Sequence, residues 1–320
     1  MSDRVLLVGV GFMGKAYAPV LGALGASVQA VGRSEAGAVA FEAETGVTCV
    51  AGGLKAWRAL ARTVPRQALV CVSVEETPVV VKALAAMGVE RMLIEKPGAS
   101  SAAELQALCD EPALAKAEIF VAYNRRYYAS VAEARRRIQA EGGVDSFHFE
   151  FTERERDANP AKFGETVRRN WALANSSHVI DLAFHLGGEP CRLNSEVAGS
   201  LDWHPGGARF VGSGVSNQDA LFTYTANWTS GGRWAVELMT RESRLILRPL
   251  EQLFVQQRGS FEVKKIEVDD ELDKLYKPGL YRQLEAFLHG GDGLAHLLNL
   301  RQQSQHATRF YGPMAGEVSP

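Results

Sequence analysis

Apolar residues over the first 120 or so positions come in short unbroken runs, separated by stretches with helical spacing. Arg4–Val8 reads as an apolar strand, and a glycine turn separates it from an apolar-periodic stretch, Met13–Leu24. The alternation then repeats. Ser27–Val31, Ala68–Val74, Arg91–Ile94 and Ile119–Ala122 are strand-like, and Glu35–Glu44, Gly53–Arg62, Pro78–Met87 and Ala102–Cys109 are helix-like. Strands alternating with helices predict a doubly wound parallel sheet. Runs such as Val5–Val8 are apolar throughout, as expected of strands covered on both faces.

The rhythm changes after about Gly143. Ser146–Thr152, Asp219–Trp228, Arg233–Thr240 and Leu245–Pro249 read as strands rich in aromatic and β-branched residues, with turns such as Ser230-Gly231-Gly232 between them. Sequential strands without intervening helices predict a large, mostly antiparallel open sheet. Tyr281–Leu288 and Leu294–Thr308 read as closing helices, and the tail after Gly312 is expected to be loose. The expected fold class is α/β: an N-terminal parallel doubly wound domain over residues 1–122, then an α+β domain over residues 123–320.

A length of 320 residues suits two domains. The formal net charge of −2 offers no basic excess for nucleic acid or an anionic membrane. The dense basic cluster Arg135-Arg136-Arg137 falls in a helix-like stretch and is expected to be a solvated face. No run approaches the ~18 apolar residues of a membrane span. The apolar run near Met1 breaks at Gly9, too soon for a secretory leader, so a cytoplasmic location is expected. Cys49, Cys71, Cys109 and Cys191 show no CxxC spacing, which favours reduced thiols over a disulfide frame or a thiolate metal site.

Four segments carry chemistry. Gly9-Val10-Gly11-Phe12-Met13-Gly14 follows a strand and opens a helix, the context in which G-x-G-x-x-G signals a dinucleotide-binding Rossmann turn. Gly9 permits the tight turn, Gly11 lets backbone approach a pyrophosphate, and Gly14 lets helix and strand pack closely. The helix N-terminus then offers free N–H groups to the phosphates. At the end of the second strand the ribose-binding acid is replaced by Gly32-Arg33-Ser34. Arg33 and Ser34 suit a 2′-phosphate, so NADP is the expected cofactor in preference to NAD; Arg33 is otherwise a solvated loop residue. Ile94-Glu95-Lys96-Pro97 places a lysine at a strand end facing the cofactor crevice. Asn170 to Leu182 reads as a polar loop entering an amphipathic helix, with His178, Asp181 and His185 on one face. Those histidines read as structural, as an acid/base or, least well supported, as metal ligands; no metal is expected.

In this order the segments resemble the glucose–fructose oxidoreductase, inositol dehydrogenase and MocA family (Gfo/Idh/MocA). The Gly-rich turn, Glu95-Lys96-Pro97, Tyr123-Asn124-Arg125-Arg126-Tyr127 and His178-x-x-Asp181 carry the resemblance, which covers most of the chain. It implies an NAD(P)-dependent oxidoreductase acting on a hydroxyl or carbonyl of a sugar or sugar derivative, nucleotide-linked or acidic sugars included. It implies Lys96 as polariser and His178 as acid/base; Asn175, whose amide can hydrogen-bond a substrate, is a further catalytic candidate. Implied cofactor contacts extend to Phe12, Met13, Ser73, Glu95 and Asn124. Implied substrate contacts are Arg125, Trp171, Asn175 and Asp181, with Arg126, Arg168 and Arg169 as further anion contacts. A homodimer or homotetramer is implied too. One position departs: the family commonly has Asp four residues before the histidine, and here that residue is Ala174. The alternative function is therefore a cofactor-binding sensor or scaffold without turnover.

Overall fold

The computed structural model describes residues 4–61, 63–154 and 159–316. The chain forms two compact units. The first comprises Met1–Tyr123 and Leu275–Ser304, the second Asn124–Lys274 and Gln305–Pro320. A single cut at 122/123 therefore does not describe the division, because a C-terminal stretch returns to the first unit.

In the first unit, β1 (Arg4–Val8), β2 (Ser27–Val31), β3 (Cys49–Val50), β4 (Gln67–Val70), β5 (Arg91–Ile94) and β6 (Glu118–Val121) alternate with helices. The helices are α1 (Phe12–Ala23), α2 (Glu35–Thr45), α3 (Gly53–Leu60), α4 (Thr77–Ala86) and α5 (Ala102–Cys109). The parallel strands lie in the order β6-β5-β4-β1-β2-β3, with Val5 beside Val28 and Leu7 beside Leu69. Val5, Leu6 and Leu7 are fully buried, as two-sided coverage requires. The predicted helix Gly53–Arg62 ends at Leu60, and Arg62 lies outside the described residues.

Leu294–Thr308 is not one helix. A 3₁₀ turn, Asp292–His296, leads into β15 (Leu298–Asn299), which pairs antiparallel with β6. The Asn299 carboxamide oxygen accepts from the Gln302 N–H at 2.8 Å, a side-chain cap that starts the Leu300–His306 helix there. The chain after Gly312 is not loose at first: Gly312–Met314 is helical, and Met314 and Ala315 are fully buried.

The second unit begins with a 3₁₀ turn, Asn124–Tyr127, followed by helix α6 (Ala129–Ala140). Arg136 and Arg137 there pair with Glu133, but Arg135 turns inward, and burial lowers the pKa of its guanidinium. The sheet comprises β7 (Ser146–Glu150), β8 (Pro190–Ala198), β9 (Arg209–Ser216), β10 (Leu221–Asn227), β11 (Ala235–Met239), β12 (Ser243–Leu247), β13 (Leu253–Gln257) and β14 (Val263–Ile266). Its order is β14-β13-β12-β11-β7-β10-β9-β8, antiparallel except where β7 meets β10. The Ser177–Gly187 helix packs on one face, with Phe184 edge-on to Phe149 at 5.3 Å. No helix among the described residues is long and apolar enough to cross a membrane.

Candidate active site

The turn after β1 has the geometry its glycines demand. Gly9 has φ +101°, and a Cβ there would lie 2.4 Å from the Cys71 carbonyl oxygen. A Cβ on Gly14 would lie 2.1 Å from the Gly9 oxygen. At Gly11 a Cβ would meet nothing within 4 Å, so this backbone faces open space. Helix α1 has no side-chain cap and no acid in its first turn, which leaves its leading N–H groups available to an anion.

Beside this turn lies a cavity of about 1000 Å³ at the carboxyl ends of β1, β2 and β4. Gly9, Gly11, Arg33 and Ser73 line it, as do Lys55 and Arg58, which sequence reasoning did not single out. A Cβ on Gly32 would lie 2.8 Å from Val10 Cγ2, so an acidic side chain does not fit there without displacing Val10. Ser34 is occupied differently from expectation: its hydroxyl accepts from the Gly37 N–H at 3.1 Å and caps α2. Phe12 is exposed and Met13 half-buried at the head of α1. The cavity, open turn and uncapped helix fit a dinucleotide.

Glu95 follows β5. The Tyr17 hydroxyl donates to its Oε1 at 2.8 Å. Burial pushes the Glu95 carboxyl above the usual carboxylate value, and the Tyr17 bond and the Lys96 and Lys277 ammonium groups oppose that rise. Burial likewise holds the Tyr17 phenol and the Cys71 thiol well above their ordinary values, so both keep their protons. Lys96 follows, half-buried, before a cis bond to Pro97.

The second unit holds its own cavity, of about 310 Å³. Arg125 and Asn175 line it, together with Glu153, Arg154, Arg233 and Trp234. The Arg125 guanidinium lies 4.9 Å from the Trp234 ring centroid, and the His178 ring is 5.8 Å from the same indole. Asn175 and Ser176 belong to a π-helical turn, Ala172–Ser176, which leads into the Ser177–Gly187 helix that carries His178. Asn175 Nδ2 donates to Glu153 Oε2 at 2.9 Å, and Ser176 Oγ donates to Glu153 Oε1 at 2.7 Å. Glu153 is only 5% exposed. The carboxylate absent at position 174 thus reaches the cavity from beyond the end of β7.

Three expected contacts lie elsewhere. Asp181 is buried and takes both Arg126 Nε at 2.7 Å and its NH2 at 2.6 Å, so this pair is internal and neither partner lines the cavity. Trp171 is 2% exposed and packs edge-on against Trp203 at 5.3 Å, an aromatic core contact. Asn124 is buried and lines neither cavity. The anion contacts shift as well: Arg169 is spent on Glu165, and the cavity arginines are Arg125, Arg154 and Arg233. Among the described residues no three His, Cys, Asp or Glu side chains converge as a metal site.

Residues 4–123 match the family model described as "Oxidoreductase family, NAD-binding Rossmann fold", of the Gfo/Idh/MocA group. Over that span the chain is similar to this family of NAD-binding oxidoreductases. No curated protein matches the chain. Among solved structures, the UDP-N-acetylglucosamine 3-dehydrogenase GnnA from Acidithiobacillus ferrooxidans is similar, with TM-score 0.73, 15% identity and full coverage of both chains. An oxidoreductase from Agrobacterium radiobacter in complex with NAD+, L-tartaric acid and magnesium gives TM-score 0.78 at 13% identity, over 99% of this chain and 96% of that one. The WlbA dehydrogenase from Chromobactrium violaceum, in complex with NADH and UDP-GlcNAcA, gives 0.71 at 14% identity, over 99% and 94%. These likenesses show a shared fold of both units.

Proposed function

We propose that the protein is an NAD(P)-dependent dehydrogenase or reductase acting on a hydroxyl or carbonyl of an anionic sugar derivative. The observation that carries this is the open glycine turn at the large cavity, within a span matching the NAD-binding oxidoreductase family. The nicotinamide supplies the hydride chemistry when bound. His178 accepts the alcohol proton during oxidation and returns it during reduction, since imidazole titrates nearest neutrality. Lys96 donates a hydrogen bond to the reacting oxygen and stabilises developing alkoxide charge. Arg125, Arg154 and Arg233 favour an acidic or nucleotide-linked sugar, and Glu153 accepts from a sugar hydroxyl. The solved relatives named for UDP-sugars or holding a tartrate support an anionic substrate. Asn175, bonded to Glu153, acts by positioning that carboxylate.

The sensor or scaffold alternative draws on Ala174; Glu153 restores a carboxylate to the cavity and favours turnover. Assaying nicotinamide reduction across hexoses, hexuronates and UDP-sugars tests the proposal. Turnover best with an anionic sugar is expected. Tight cofactor binding with no turnover on any of them would overturn it in favour of the sensor.

We also propose a homodimer or homotetramer built on the open sheet, where Val211 (49% exposed) and Leu221 (61%) leave apolar surface uncovered. Light scattering at micromolar concentration tests this, and a monomer would contradict it.

A further inference from the structure

The Leu275–Ser304 stretch folds with the nucleotide-binding unit, although it follows the other unit's sheet in sequence. Lys277 lies at its start. The Lys277 ammonium is 5.2 Å from the centroid of the Phe12 ring. It also acts electrostatically on the Glu95 carboxyl. Phe12 follows the turn after β1, and Glu95 follows β5. Lys277 therefore stands at the carboxyl edge of the parallel sheet, where ligands of such sheets bind.

Phe12 is 77% exposed, unusual for an aromatic ring opening a helix. Helical side chains lean toward the N-terminus, so this ring overhangs the uncapped end of α1. The first N–H with a partner inside the helix is that of Lys15, which donates to the Gly11 oxygen at 3.0 Å. The N–H groups of Phe12, Met13 and Gly14 precede it. A helix end supplies about half a unit of positive charge, and a dinucleotide's pyrophosphate carries more negative charge than that. Lys15, the nearest cation in sequence, is ion-paired with Glu44.

We propose that Lys277 and Phe12 form a clasp over the cofactor pyrophosphate. The ammonium contacts a phosphate oxygen opposite the helix N-terminus, and the ring holds the lysine there by a cation–π contact. This rests on reading the glycine turn as a dinucleotide site, and it adds a residue from the C-terminal stretch to that site.

The test is calorimetric titration of the full chain with NAD+ and with NADP+, on wild type, Lys277→Met and Lys277→Arg. The pyrophosphate is common to both cofactors. Lys277→Met is expected to weaken both by the same factor, about tenfold, as loss of one charge-assisted contact implies. Its binding should also depend less on salt. Lys277→Arg should retain most affinity, and Phe12→Ala should lose less than Lys277→Met. Adenosine 2′-phosphate, which has no pyrophosphate, should bind wild type and Lys277→Met alike. Unchanged affinity for both cofactors in Lys277→Met would overturn the clasp. A loss confined to NADP+ would move Lys277 to the 2′-phosphate, and an equal loss for adenosine 2′-phosphate would make its role structural; both overturn the clasp. Wild-type protein that binds neither cofactor would instead overturn the dinucleotide reading, and the clasp with it.

Discussion

The Asn175 side-chain amide donates a 2.9 Å hydrogen bond to Glu153, across 22 positions of sequence. The bond links the π turn before His178 to the segment after β7. With the Ser176 hydroxyl on the other oxygen, it fixes the carboxylate in the cavity wall. Both donors are neutral, an amide and a hydroxyl, so neither cancels the charge of an ionised Glu153.

Replacing that carboxylate should therefore hurt substrate binding more than folding. Glu153→Gln is expected to lower kcat/KM by about 10- to 100-fold, the cost of one hydrogen bond to a charged group. Most of the loss should appear in KM, with cofactor affinity unchanged. Steady-state kinetics on the best sugar checks this; wild-type KM in the variant would remove Glu153 from the substrate site.

Asp181 should behave in the opposite way. Its two bonds from Arg126 are buried, and breaking a buried ion pair costs about 3–5 kcal/mol because one charge is left uncompensated. Asp181→Asn is expected to lose stability in denaturant titration. A variant of full stability with selectively weakened substrate binding would return Asp181 to the substrate site.

Cofactor choice should follow the end of β2. Gly32 is crowded by Val10, and Arg33, Lys55 and Arg58 line the same cavity. We expect NADP to bind about tenfold more tightly than NAD, and Arg33→Ala to remove most of that preference. Solvent exposure of Arg33 limits the effect. Equal wild-type affinities in calorimetry, or no loss of NADP affinity in the variant, would sink the preference.

The parallel sheet was legible because its strands are covered on both faces and read as unbroken apolar runs. β9 was hidden by Gly212 and Gly214, which look like turn signals. In the sheet a Cβ at these positions would lie 2.4 Å from the Tyr224 ring and 2.5 Å from the Phe222 ring, so the missing side chains make room for aromatics of β10. The β15 strand was lost in a helical period that the Asn299 cap interrupts. Gly9, Gly11, Arg33 and Ser73, which line the large cavity, could be singled out because a glycine turn after a strand and the ends of its neighbours are local signals. Glu153, Trp234 and Lys277 were not, since each acquires its surroundings through contacts distant in sequence. Glu153 opens a run of alternating charges that reads as solvated, and nothing in it points to Asn175. Trp171 and Asp181 misled for the converse reason: a polar or aromatic residue beside a motif can serve the core.

The central claim is that Lys96 and His178 carry hydride-transfer chemistry. It is tested most directly by kcat/KM of wild type, Lys96→Ala and His178→Ala on the best sugar of the panel, with folding checked by circular dichroism. The account predicts that both variants remain folded and lose roughly 10²–10⁴-fold, the usual range for positioned acid–base groups. Undiminished turnover in folded His178→Ala would contradict it.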